Sequence, residues 1–369
     1  MAIQKFIGIR YARAERWQTP IQEPKLHSLN EVSTQYLISP QGPCRLDSML
    51  GSTSEPTQSE DSLRLAIYTP STKESLPVLV FIHGGAFTTG SGLYDIYNGE
   101  RLAANGNFVV VCISYRLGAL GFLYDPDKNI VNLGLQDQAC AMHWVKENIS
   151  LFGGNNQRIT IMGQSAGGYS ILAHIAQMQE PLFSKAIIMS APFIQTGKNK
   201  MRRQSERFCK LLTKDTTHAS LEQVLEAQTQ LEQQSLGMAF TPVCSKLLKP
   251  THIIPGLKQL LLTHQAQDAA PFVPFKQLVG PATRMIFDRP LQRYAKQMQR
   301  NGIATSTLRL DWRSGIPPWG ATHCIELPLL FGSWQKWQKA PFLQGVDEAE
   351  FLHQSAKLQE TIISFVYHD

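Results

Sequence analysis

What this chain lacks excludes several classes of protein at the outset. Its six cysteines (Cys44, Cys112, Cys140, Cys209, Cys244, Cys324) contain no Cys-x-x-Cys pair and no metal-ligand spacing, so neither a zinc site nor a dithiol redox motif is written into them. Cys112 falls in an apolar strand and Cys140 in an amphipathic helix, where a cysteine acts as a small buried hydrophobe. No apolar run approaches the length of a membrane span, and Met1-Ala2-Ile3-Gln4-Lys5-Phe6 has no signal core. The expected compartment is therefore the cytoplasm, with no membrane partner. Charged residues are only 17% of the chain and the net charge is a modest +6. The basic residues are scattered, apart from Met201-Arg202-Arg203 and a few lysines, so no nucleic-acid partner is expected. Repeats, low-complexity tracts and long polar linkers are absent too, which leaves one large α/β domain or two ordinary ones.

What is present begins with apolar runs. Leu76–Ile82, Phe108–Ile113, Ile159–Met162 and Ala186–Met189 read as short strands buried on both faces of a parallel sheet. Between them Leu135, Met142, Val145 and Ile149 lay an apolar face on a helix that ends near Phe152-Gly153-Gly154. Strands alternating with helices predict a doubly wound, mostly parallel α/β sheet, with ligands bound at the carboxyl ends of its strands. Gln204–Gln234 has helical spacing and reads as a cap over the sheet, residues 250–285 are Pro-punctuated and ambiguous, and Thr305–Trp312 reads as a last strand. That strand leads through Gly315-Ile316-Pro317-Pro318 towards His323.

Gly163-Gln164-Ser165-Ala166-Gly167 sits at one such carboxyl end. A Gly-x-Ser-x-Gly between strand and helix forces the serine into a strained turn with its hydroxyl exposed, and a Cβ at either glycine would strike the neighbouring strand or helix. Ser165 is the candidate nucleophile. His83-Gly84-Gly85-Ala86-Phe87, directly after the first apolar run, is the kind of glycine loop that turns amides towards an oxyanion. The candidate donors are Gly85, Ala86 and Ala166. The base should follow the serine in the chain, and His323, after the last strand, is the candidate; His218, His252, His264 and His368 read as surface residues.

These segments resemble the type-B carboxylesterases, the family of the cholinesterases and bacterial p-nitrobenzyl esterases. The resemblance runs from Phe6-Ile7-Gly8-Ile9-Arg10-Tyr11-Ala12 through Glu60-Asp61-Ser62-Leu63, the glycine loop, Asn132–Gln138, Phe152–Asn155 and the serine turn to His323–Pro328. It implies one α/β-hydrolase domain over residues 1–369 with a cap-like region at about 200–285. It also implies hydrolysis of a small-molecule carboxylic ester through an acyl-serine, with no metal or organic cofactor. The family's catalytic pair falls on Ser165 and His323 and its oxyanion donors on Gly85, Ala86 and Ala166. Hydrolysis of amides or lactones would use the same residues, and the oligomeric state stays open.

The chain departs from the family pattern in places. Ser62 stands where secreted members carry a cysteine, leaving Cys44 without that partner, and Gln164 stands where Glu is frequent. The N-terminal hairpin and the C-terminal tail are shortened. The acidic Gly-x-x-x-Asp-Glu-Gly segment between serine and histidine is missing. Asp268 reads as a solvated loop residue, Asp288 as a surface residue beside Arg289, and Glu326 as support for the histidine loop. Asp311, ending the last strand, is the candidate acid, and the third member of the triad stays unassigned. The second reading is a catalytically impaired or non-catalytic binding module.

Overall fold

The computed structural model describes residues 2–368 apart from 45, 52–55, 213–215, 217, 236–238, 245, 246, 248, 249, 251 and 316–318. The expected loop at Gly315-Ile316-Pro317-Pro318 thus lies largely outside the described residues. Eight strands form the main sheet: β1 (Gln4–Arg10), β2 (Arg64–Thr69), β3 (Leu76–Ile82), β4 (Val109–Ile113), β5 (Gly154–Gln164), β6 (Lys185–Met189), β7 (Gln259–Gln265) and β8 (Ala304–Leu310). Their spatial order is β1-β2-β4-β3-β5-β6-β7-β8. The first two pairings are antiparallel and the rest parallel. This is the α/β-hydrolase fold, with a mostly parallel sheet flanked by helices.

The continuous apolar runs follow from burial on both faces. Along β3 the side chains of Val78, Val80 and Ile82 enter one core, and Leu79 and Phe81 enter the other. β4 divides the same way, Val109, Val111 and Ile113 against Val110 and Cys112. A strand pleat sends alternate residues to opposite sides, so both sets must be apolar when helices cover both. One side is closed by α1 (Leu133–Asn148) and α2 (Ala166–Gln177), through residues such as Trp144, Val145 and Ile171. The other is closed by α7 (Glu326–Phe331) and α8 (Glu348–Tyr367), through Leu330, Phe331, Phe351 and Ile362. Helices α3 (Lys198–Leu211) and α4 (Leu221–Gln234) form the next layer. A helical run follows β7: α5 (Lys276–Thr283), a stretch of π-helix at Arg284–Asp288, and α6 (Arg289–Arg300).

Away from the candidate site the structure differs from the sequence expectations in the following places. The stretch at about 200–285, expected as a cap-like region, contains β7, an inner strand paired to β6 and β8. Its Leu260-Leu261-Leu262 core is bounded by polar Gln259 and Thr263, which shortens the apolar signature below what a sequence reading detects. His264, expected on the surface, is buried in that strand. Cys140 is half-buried rather than buried, packing against the core from its edge.

One buried ion pair ties the loop after β4 to α1. Arg116 donates from Nε to Asp137 Oδ2 at 2.8 Å and from Nη2 to Oδ1 at 2.6 Å, and the Arg116 amide adds a third bond at 3.0 Å. With both side chains out of water, removing one strands the other's charge. Asp137→Ala is expected to cost about 3–5 kcal/mol, read as a lower midpoint in urea unfolding at unchanged slope.

Candidate active site

Ser165 lies between the end of β5 and the start of α2, with φ 54° and ψ −117°. That strained conformation is fixed by contacts on both sides. A Cβ on Gly163 would sit 2.5 Å from the Gly167 carbonyl carbon, and one on Gly167 would sit 2.0 Å from the Ile82 carbonyl oxygen. Glycine is therefore required at both positions, and the turn is wedged against the end of β3. The Ser165 amide donates to the Met189 carbonyl of β6 at 2.8 Å.

The Ser165 hydroxyl donates to His323 Nε2 at 2.9 Å. On the far side of the ring, Nδ1 donates to Asp268 Oδ1 at 2.7 Å, and the second Asp268 oxygen accepts from the Gln265 amide at 2.7 Å. Asp268 and His323 are both buried. Burial alone would disfavour a charge on the His323 ring, while Cys324 and Asp268 favour it, and the net effect holds the imidazole well above its ordinary range. Because burial also raises the Cys324 thiol and keeps it neutral, the Asp268 carboxylate is the charge responsible. A hydroxyl, a tautomer-fixed imidazole and a buried carboxylate in one line are the parts of an activated nucleophile.

The four acidic candidates are placed as follows. Asp268 is not a solvated loop residue; it follows β7 by three positions and turns back beneath His323. Asp311 does not reach the histidine. Its side chain is 62% exposed and pairs with Arg309 at 2.9 Å, because it continues β8 outward beyond the pairing with β7. Asp288 is partly exposed and faces His264 Nε2 at 3.7 Å. Glu326 is buried beside the site, with Gln164 as a polar neighbour. The missed residue had one legible signal. Asp268 stands just past a Leu-Leu-Leu run, at the strand end where such a fold keeps its site.

Gly85 and Ala86 have φ 107° and 53° and line the same cavity as Ser165 and His323. Among the described residues their amides, and that of Ala166 at the first position of α2, donate to no acceptor in the protein. The loop is braced from behind. Tyr115 donates its hydroxyl to the His83 carbonyl at 3.0 Å and stacks on the His83 ring at 4.5 Å. Burial pulls His83 down to about 4, so this ring is neutral and serves as a brace. Gln164 stands with its amide nitrogen 3.4 Å from His323 Nε2 and 3.3 Å from Cys324 Sγ. The cavity is about 200 Å³, with Tyr94, Tyr97, Phe272 and Leu327 among its walls, and Cys44 and Cys324 facing it as free thiols.

The carboxylesterase family matches residues 2–309, a span that includes Ser165 and Asp268 and stops short of His323. A probable N-octanoylanthranilate hydrolase from Rhodococcus erythropolis is 36% identical over 94% of this chain and 85% of its own length. The para-nitrobenzyl esterase of Bacillus subtilis (strain 168) is 31% identical over 98% and 86% respectively. Among solved structures, a thermophilic p-nitrobenzyl esterase superposes with a TM-score of 0.83 at 27% identity, covering 99% of this chain and 87% of that one.

Glu326 gives the site a pH-dependent cost. Burial first, then the Asp268 charge, push its carboxyl up to about 7 against an ordinary 4.5. A raised carboxyl favours the folded state at low pH and loses that contribution as pH rises from the unfolded value through the folded one. The shift corresponds to about 3 kcal/mol at full ionisation. Glu326→Gln is therefore expected to gain in Tm over the parent as pH climbs from 5 towards 8, with little gain at pH 4. Equal shifts across that range would show the carboxyl does not titrate there.

Proposed function

The chain belongs to the carboxylesterase family and is a carboxylic ester hydrolase, and on that premise we propose that it works through an acyl-enzyme on Ser165. The observation that carries this is the unbroken line Ser165–His323–Asp268. His323 takes the serine proton as Ser165 attacks the ester carbonyl, and returns it to the leaving alcohol. Asp268 orients the ring and balances the imidazolium. The amides of Gly85, Ala86 and Ala166 receive the oxyanion, where one such donor is worth about 3 kcal/mol. Water then repeats the sequence on the acyl-serine.

The substrate is a small, uncharged ester. The cavity of about 200 Å³ is below the roughly 300–1,000 Å³ common for drug-sized ligands, and Gln164 presents an amide rather than a carboxylate beside Ser165. The missing acid was the ground for a non-catalytic reading, and the bond from His323 to Asp268 supports the catalytic reading instead. We treat the chain as one domain, since the sheet draws strands from residue 4 to residue 310, with α3 and α4 as its cap-like part. We also place it in the cytoplasm, which the disulfide-free Cys44, Cys112, Cys140, Cys209 and Cys324 favour. Among the described residues no helix is long and apolar enough to cross a membrane.

Ser165→Ala should lower p-nitrophenyl acetate hydrolysis by about six orders of magnitude and abolish labelling by a fluorophosphonate probe, with an unchanged circular dichroism spectrum. Full activity in that variant would sink the assignment. Asp268→Asn should cost about 10⁴ in kcat, whereas Asp311→Asn should leave kcat unchanged. The base acts when neutral, so kcat/KM should rise with pH along a limb above 6.5, the ordinary histidine value. In Asp268→Asn, with burial left unopposed, that limb should fall below it.

A further inference from the structure

The helical run from Lys276 to Arg300 carries an exposed face that the fold leaves unpartnered. Its inner face is conventional, with Val279, Phe287, Leu291, Tyr294 and Met298 buried. On the opposite side Phe275, Leu278, Ala282 and Met285, then Arg289, Arg293, Lys296 and Arg300, follow one another in steps of three and four residues. That is the spacing of a single helical stripe. Phe275 is 57% exposed, Leu278 45% and Met285 67%, among the few large apolar side chains left in water. The four cations are exposed and none has an ion-pair partner among the described residues. The one acid within the run, Asp288, faces His264 instead. A solvated surface helix carries charge of both signs and few large apolar groups, so this stripe is apolar at one end and purely basic at the other.

The stripe adjoins the cavity. Phe272, three residues before Phe275, is 53% exposed, lines the cavity beside Ser165, and has its ring centroid 5.2 Å from that of His323. Phe287, on the buried face of the same run, touches the His323 ring from another side at 5.8 Å. Whatever covers the stripe therefore lies next to the entrance to the site.

We propose that this face docks on an anionic lipid bilayer, with the apolar half entering the acyl-chain boundary and the cations meeting the headgroups. Large apolar groups joined to a row of lysine and arginine have that complementarity. A second copy of this chain could meet the apolar half about a two-fold axis, but it would leave the row of cations without anionic partners, which a bilayer of anionic lipid supplies. That no helix among the described residues is long and apolar enough to cross a membrane says nothing against lying on its surface. Delivery of esters from the bilayer to Ser165 rests on the hydrolytic reading above; the docking does not.

Sedimentation with vesicles tests it. The whole chain should partition about tenfold more onto phosphatidylcholine mixed with phosphatidylglycerol than onto phosphatidylcholine alone, and the difference should shrink as salt rises. Phe275→Ser/Leu278→Ser/Met285→Ser should lose about tenfold in partition, and Arg293→Gln/Lys296→Gln should lose the preference for anionic vesicles. Both should keep the parent's hydrolysis of dissolved p-nitrophenyl acetate, which shows that they fold. Failure of the parent to bind anionic vesicles overturns the proposal, as does binding that survives both variants. Light scattering that finds a dimer dispersed by the apolar variant, with no vesicle binding, assigns the face to a second copy and overturns it as well. A parent that binds vesicles but hydrolyses no ester would refute the hydrolytic reading and leave the docking intact.

Discussion

The contact on which the site depends is the approach of Gly167 to the Ile82 carbonyl. A Cβ would stand 2.0 Å from that oxygen, so the turn after β5 and the end of β3 share one packing position. β3 runs directly into the glycine loop at His83–Phe87. The serine and two of its proposed oxyanion donors are thereby brought together by backbone packing, with Tyr115 bracing the loop from behind. The strained φ of Ser165, Ala86 and Phe87 is what that closeness requires, and the doubly covered sheet bears the strain.

The other half of the site is set by how the last two strands end. β7 and β8 pair in register to Gln265 and Leu310, and past that point the chains diverge. The β7 side turns sharply, with the Gln265 amide donating to Asp268, so the carboxylate faces inward. The β8 side runs on to exposed Asp311, and further along that chain the carbonyl of buried Ala321 accepts from the Gln267 amide at 2.9 Å. A side-chain bond of 3.0 Å from the Ala321 amide to Gln267 secures the same crossing. Asp268 and His323 thus meet because two loops are laced together at Gln267.

The difference between those two aspartates also explains what a sequence can and cannot disclose. The strands at Leu76–Ile82 and Val109–Ile113, the serine turn and the glycine loop were legible because each rests on local chemistry: pleat alternation, a turn only glycine fits, a strand feeding a loop. His323 was legible from chain order. The acid was not, since Asp268 and Asp311 have equivalent positions, each just beyond a strand. Only the direction of the following turn separates them, and that is fixed by Gln265 and Gln267 across space. The burial of His264 is hidden for a related reason, since polar Gln259 and Thr263 interrupt the apolar run of its strand.

Charge is distributed in a way that joins the interior to the surface. Inside, Gln164 and the neutral Cys324 keep company with His323, and Glu326 is held up to about 7, so the ionised Asp268 stands nearly alone. A second full carboxylate in that cavity would raise the imidazole still further, so Gln164 in place of an acid, and Glu326 while it is protonated below about 7, both favour a working base. Outside, the cations gather on α6, on the face turned away from the buried core. An uncharged ester meets no field in the cavity that would either draw it in or repel it. Its entry must then depend on apolar contact, and Phe272 supplies that contact at the wall while adjoining the exposed stripe outside. The same residue that shapes the mouth therefore links a neutral cavity to the one strongly patterned surface beside it.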